Sequence, residues 1–160
     1  MTRLTHGVER VSQALQWVAG FALVGIMLIT ILDVVLRYLG KPIPGTYELV
    51  GFGGGIAIGL ALPLTSWKRG HIYVDTFLTP LSARVRAAVN VTTRLAGFAL
   101  FLLLGWNLVQ LGLKLRSAHE VSPTLELPFY PVVFGIAIGC FAVAIVLLCH
   151  VVLILRGEYE

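Results

Sequence analysis

The sequence predicts an all-α integral membrane protein, with four transmembrane helices in one antiparallel bundle and a short interfacial segment between the second and third helices. Three observations predict it. Of 160 residues, 58% are hydrophobic and 12% charged, with a mean hydropathy of +0.90, a composition outside the range of soluble domains. Four charge-free stretches lie between Arg10 and Asp33, Glu48 and Lys68, Arg94 and Lys114, and Glu126 and Arg156. Each is long enough to cross a hydrocarbon core of about 30 Å as a helix. The connections are short, so residues 1–160 read as one domain of neighbouring helices with no linker.

The first span is expected near residues 14–36. Arg3 and Arg10 ahead of an apolar run resemble a signal peptide, but the charge-free run from Val11 to Leu32 is too long for a signal-peptide core and reads as a retained helix. It ends in Asp33-Val-Val-Leu-Arg37-Tyr38, where Asp33 and Arg37, four apart, share a face and can pair. Charges this close to the hydrocarbon are costly unless paired. Glu48 opens the second helix just across the loop. It offsets the helix dipole there, with Thr46 as cap, or completes a three-member charge cluster of Asp33, Arg37 and Glu48 that sets the angle between the first two helices or meets a partner.

The second span, expected near 46–66, is rich in glycine: Gly51, Gly53, Gly54, Gly55 and Gly59. Gly51, Gly55 and Gly59 are four apart and line one face, and Gly53, Ala57 and Ala61 form a strip beside it. Lipid gives no hydrophobic drive for helix association, so small residues serve close backbone approach. The strip reads as a docking surface for a partner or as packing inside this chain. No internal repeat is read; Gly135 and Gly139 in the last span only faintly echo the strip.

After Lys68 and Arg69 comes a segment with Ile72, Val74, Phe77, Leu78 and Leu81 apolar and His71, Asp75 and Thr79 polar. It is too short to span and is expected to lie in the interface, placing His71 and Asp75 there. The third span, near 83–115, opens with Arg86, Asn90 and Arg94, each four apart. Arg86 and Arg94 are expected to snorkel to lipid phosphates or to touch a partner. Asn107 and Gln110 on the same helix are candidates for interhelical hydrogen bonds. Pro123 and Pro128 keep the next loop extended, and Pro128 suits the first turn of a fourth span near 128–155.

Lysine and arginine set the orientation. Arg3, Arg10, Lys68, Arg69, Arg84, Arg86 and Arg156 fall on one side, seven in all; Arg37, Lys41, Lys114 and Arg116 fall on the other, with Arg94 unassigned. Both termini are therefore expected in the cytoplasm. The net charge of +4 is spread among these span ends, so nucleic acid is not an expected partner. Cys140 and Cys149, nine residues apart on one helix, are separated by roughly 13.5 Å and cannot pair with each other.

No catalytic, metal or cofactor motif assembles: there is no C-x-x-C, H-E-x-x-H, G-x-S-x-G or phosphate-cradling loop. No ionisable residue lies in the central part of a span, where a self-sufficient ion-coupled transporter usually places one. The chain is expected to support a conduit and not to form one. The alternative class is a four-helix redox subunit holding haem or quinone, but only His150 lies within a span.

The order of several motifs resembles the small membrane subunit of tripartite ATP-independent periplasmic (TRAP) transporters, the DctQ-like family. They are Arg37-Tyr38 closing the first span, Glu48-Leu49 opening a Gly/Ala-rich second span, Gly70-His71-Ile72 with Val74-Asp75 after it, and Ser122-Pro123 with Pro128 in the last loop. The family often has tryptophan just before the Glu-Leu pair, where this chain has Gly45, Thr46 and Tyr47. The resemblance implies the bacterial inner membrane, a large membrane subunit that carries substrate and coupling sodium, and a periplasmic substrate-binding protein. It also implies import of organic anions such as C4-dicarboxylates, other carboxylates or sialic acids.

Overall fold

The computed structural model describes residues 3–68 and 83–155. Four helices fill them: α1 (Arg3–Tyr38), α2 (Thr46–Trp67), α3 (Ala83–Ser117) and α4 (Tyr130–Leu155). All four are long and apolar enough to cross a membrane. Helix α1 begins well before the apolar run because nothing between Arg3 and Gln13 breaks it; Gly7 is the weakest helix former there and proline is absent. The segment expected in the interface, with His71 and Asp75, lies outside the described residues.

The helices form a row, α1–α2–α4–α3, and not a closed bundle. Helices α1 and α2 pack along their lengths, as do α3 and α4; α2 packs on α4; and α1 and α4 meet at few positions. Among the described residues, α3 touches no helix but α4. The direction of each pair can be read from its contacts. Ile26 of α1 lies against Gly53 of α2, while the earlier Ala19 and Gly20 line a groove with the later Ala57 and Ala61. On the other side, Gly97, Gly105 and Gly112 of α3 face Leu147, Phe141 and Phe134 of α4. Residue numbers therefore rise along one helix of each outer pair as they fall along the other. The inner pair differs: Phe52 meets Phe129 at one end and Trp67 stacks on His150 at the other, so α2 and α4 run in the same direction.

The two connections from an outer to an inner helix lie at one end of the row. Both outer helices close in the same way. The Lys41 N–H reaches back to the Leu36 carbonyl at 2.8 Å, and the Glu120 N–H to the Leu115 carbonyl at 3.1 Å. The residue before each donor is left-handed, Gly40 with φ 74° and His119 with φ 50°. That is the helix-ending geometry in which a left-handed residue turns the chain so that orphan carbonyls are satisfied.

Candidate functional site

The feature that holds the row together is the α2–α4 seam. Gly59 sits against Ile136, and a Cβ placed on Gly59 would lie 3.1 Å from the Ile136 Cα. A Cβ on Gly139 would collide with the Gly59 carbonyl oxygen. Sequence explains why that carbonyl is there. Pro63, fully buried, stands four residues after Gly59 and has no N–H to donate to it. A proline ring also crowds the carbonyl four residues back, which turns it outward. Only glycine at 139 leaves room for the displaced oxygen, and the neighbouring helix reaches backbone contact there.

The pentapeptide Gly-Ile-Ala-Ile-Gly occurs twice, at 55–59 and 135–139, and the two copies pack at the same depth: Gly55 and Gly59 against Ile136, Gly135 against Ile56. The faint echo expected from sequence is thus a full five-residue match whose copies are partners. Of the expected strip, Gly55 and Gly59 lie against α4 of the same chain. Gly51 is different: a Cβ there would meet nothing within 4 Å.

Two polar ties fix the turns at the connection end. Asp33, 5% exposed, accepts from the Arg37 guanidinium at 2.7 Å and from the Ile43 N–H at 2.9 Å. The carboxylate thereby anchors the α1–α2 turn as well as its own helix. Thr46 does not cap α2 with its side chain; its hydroxyl donates to the Ile43 carbonyl at 2.9 Å.

Glu48 separates from the expected three-member cluster. Its carboxylate accepts from the Ser122 hydroxyl at 2.6 Å, the Thr124 N–H at 2.8 Å and the Leu125 N–H at 3.0 Å. The same Ser122 Oγ accepts from the Leu127 N–H at 3.1 Å, and Leu125 packs over Gly45. The physical reason for the correction is donor supply. The 118–129 loop presents a hydroxyl and two free N–H groups that a carboxylate can satisfy together, whereas Asp33 already holds Arg37. Sequence reasoning missed Ser122 as a functional residue; the Ser-Pro pair marked a loop but gave no sign of what the hydroxyl would bind.

At the opposite end of the row, His150 is 3% exposed and stacks on Trp67 with ring centroids 5.4 Å apart. Arg94, expected at the membrane surface, is only 7% exposed and is covered by protein. It stands three residues before Gly97, which meets Leu147 of α4. Arg86 lies near the start of α3. Among the described residues no three His, Cys, Asp or Glu side chains come together as a metal site would require.

Four membrane-length helices, joined through backbone contact and polar turn ties, define a multi-pass membrane protein. The family model for the DctQ component of tripartite ATP-independent periplasmic transporters matches residues 26–157, and the chain belongs to that family. The family is one of transporter subunits and not of enzymes. The chain is also similar to a Sinorhizobium fredii (strain NBRC 101917 / NGR234) protein described as uncharacterized protein y4mM, 27% identical over 177 residues. That match covers 100% of this chain and 30% of the relative, so the chain spans less than a third of that protein's length. No solved structure matches.

Proposed function

We propose that this chain is the supporting subunit of a sodium-coupled TRAP transporter that imports organic anions of the C4-dicarboxylate, other carboxylate or sialic acid type. It works with the large membrane subunit and the periplasmic substrate-binding protein and carries no substrate itself. It sits in the bacterial inner membrane among its lipids, with spans alternating in direction and both termini in the cytoplasm. The connection end, with Asp33 and Glu48, faces the periplasm. Substrate class and sodium coupling rest on the family resemblance alone. The observation that carries the supporting role is the seam. The centre of the row is closed by contact between the Gly59 carbonyl and Gly139, with no acidic, basic or histidine residue beside either glycine in the sequence. A pathway for an anion needs a polar or charged lining that can compensate lost hydration.

The test is reconstitution. Proteoliposomes with a sodium gradient and the cognate binding protein should take up substrate when they contain both membrane subunits, and not with this chain alone. Uptake by this chain alone, or full uptake by the large subunit without it, contradicts the proposal.

A further inference from the structure

We infer that the outward face of α3 around Asn107 and Gln110 is the surface on which a transmembrane helix of the large membrane subunit docks, hydrogen-bonded to those carboxamides. The inference rests on the reading that this chain assembles with such a subunit. Leu103, Asn107, Gln110 and Lys114 are spaced by four, three and four, so they share one side of the helix, and all four are exposed. Trp106, beside them, is 60% exposed. This side points away from α4, the helix that Gly105 and Gly112 contact. Both carboxamides lie in the charge-free stretch between Arg94 and Lys114. Asn107 falls between the Gly105–Phe141 and Gly112–Phe134 contacts, about 10.5 Å along the helix from Lys114.

A carboxamide offers two donors and two acceptor positions. Asn107 makes one hydrogen bond, from its Nδ2 to the Leu103 carbonyl at 2.8 Å. Gln110 makes none with the described residues. The Trp106 indole N–H adds one more donor, without an acceptor, at the same level. Polar groups facing lipid are unfavourable unless partnered, so a face carrying three of them is suited to another protein and not to acyl chains. A partner segment that itself borders lipid here is a helix, because a helix satisfies its own backbone. Its complementary groups are hydroxyl or carboxamide side chains, the usual polar contacts between membrane helices.

The outer face of α1 shows the contrast. Trp17, Phe21, Val24, Leu28, Ile31 and Val35 occupy the same spacing and are exposed, and beyond the Trp17 N–H they offer hydrocarbon only. The exposed carboxamides of α1, Gln13 and Gln16, stand about 33 Å or more along the helix from Tyr38, at the far end of the span. Thr30, also exposed on α1, donates its hydroxyl to its own helix at Ile26. That face is suited to lipid.

The experiment uses the full chain expressed with its large subunit in native membranes. Photoreactive benzoylphenylalanine replaces Leu103, Asn107 or Gln110 on α3, and Phe21 or Leu28 on α1. Adducts to the large subunit are expected from the α3 positions and not from α1. Separately, the double variant Asn107→Leu/Gln110→Leu should retain roughly five- to tenfold less large subunit on purification. Its own level in the membrane should be unchanged, since leucine is at home in lipid. Large-subunit adducts from α1 alone, adducts from α3 to lipid or to a second copy of this chain, or unchanged retention by the double variant each overturn the proposal while leaving the supporting role standing. Failure of the wild-type chain to retain any large subunit overturns the supporting role and this proposal together.

Discussion

The inner and outer helices solve different problems. Within their most apolar windows, α2 and α4 are 33% buried inside the chain, and α1 and α3 only 11%. The inner pair also carries the unusual chemistry: repeated Gly-Ile-Ala-Ile-Gly, a buried proline and contact between backbones. The outer pair presents broad side-chain surfaces, that of α1 apolar from Trp17 to Val35 and that of α3 bearing the carboxamides of Asn107 and Gln110. In water, hydrophobic burial would decide which helix is central. In lipid, shape complementarity and polar groups decide it, so the glycines mark the centre and the outward polar groups mark what remains to be covered.

If that division is correct, the largest effect should come from Gly139→Leu. The side chain would meet the Gly59 carbonyl and force α2 and α4 apart, at a cost of about 3 kcal/mol, the upper end for overpacking. Thermal unfolding of the isolated chain in detergent should show a clear drop. Equal stability of this variant and the wild type would break the inner-pair account.

Glu48→Gln comes next. It keeps the shape but removes the charge that accepts from Ser122, Thr124 and Leu125. Charge-assisted hydrogen bonds are worth about 1.5–3 kcal/mol, of which glutamine retains a part. The expected loss is about 1–2 kcal/mol, accompanied by faster protease cleavage in the 118–129 loop. Unchanged cleavage would show that the tie does not hold the loop.

Arg37→Gln should matter less, about 0–1 kcal/mol, because the guanidinium end of the pair is more than half exposed. Asp33→Ala should cost more than Arg37→Gln, because it also strands the Ile43 N–H. The reverse order of stabilities would show that the ion pair, and not the turn anchor, is what Asp33 supplies.

The smallest effect belongs to Gly51→Ala. Nothing in the chain lies within 4 Å of a Cβ there. Alanine is the better helix former, by up to about 1 kcal/mol in water, so stability of the isolated chain should not fall. A fall would place an unseen contact at Gly51.

Much of this was legible in the sequence. The charge-free stretches located all four helices, and Asp33 with Arg37 four residues later gave the ion pair, because local spacing on a helix decides both. The early start of α1 was missed because hydropathy reports where lipid begins, whereas a helix continues until something breaks it. Of the two roles open to Glu48, the cluster with Asp33 and Arg37 does not form, and its actual partner Ser122 is 74 residues away, a distance local spacing cannot see. The twin pentapeptide is visible in the sequence, but nothing local shows that its two copies are partners. The copies lie on two helices that run the same way, where equal sequences meet at equal depth.

The parallel α2–α4 pairing is the centre of the account, and double-cysteine cross-linking tests it most directly. In the full chain with Cys140 and Cys149 replaced by alanine, two pairs are introduced, Phe52→Cys with Phe129→Cys and Trp67→Cys with His150→Cys. The ring centroids are 5.3 Å apart in the first pair and 5.4 Å in the second. A short thiol cross-linker in native membranes should join both pairs within one chain. The crossed pair, Phe52→Cys with His150→Cys, should stay open. Cross-linking of the crossed pair, or links formed only between separate chains, would contradict the seam.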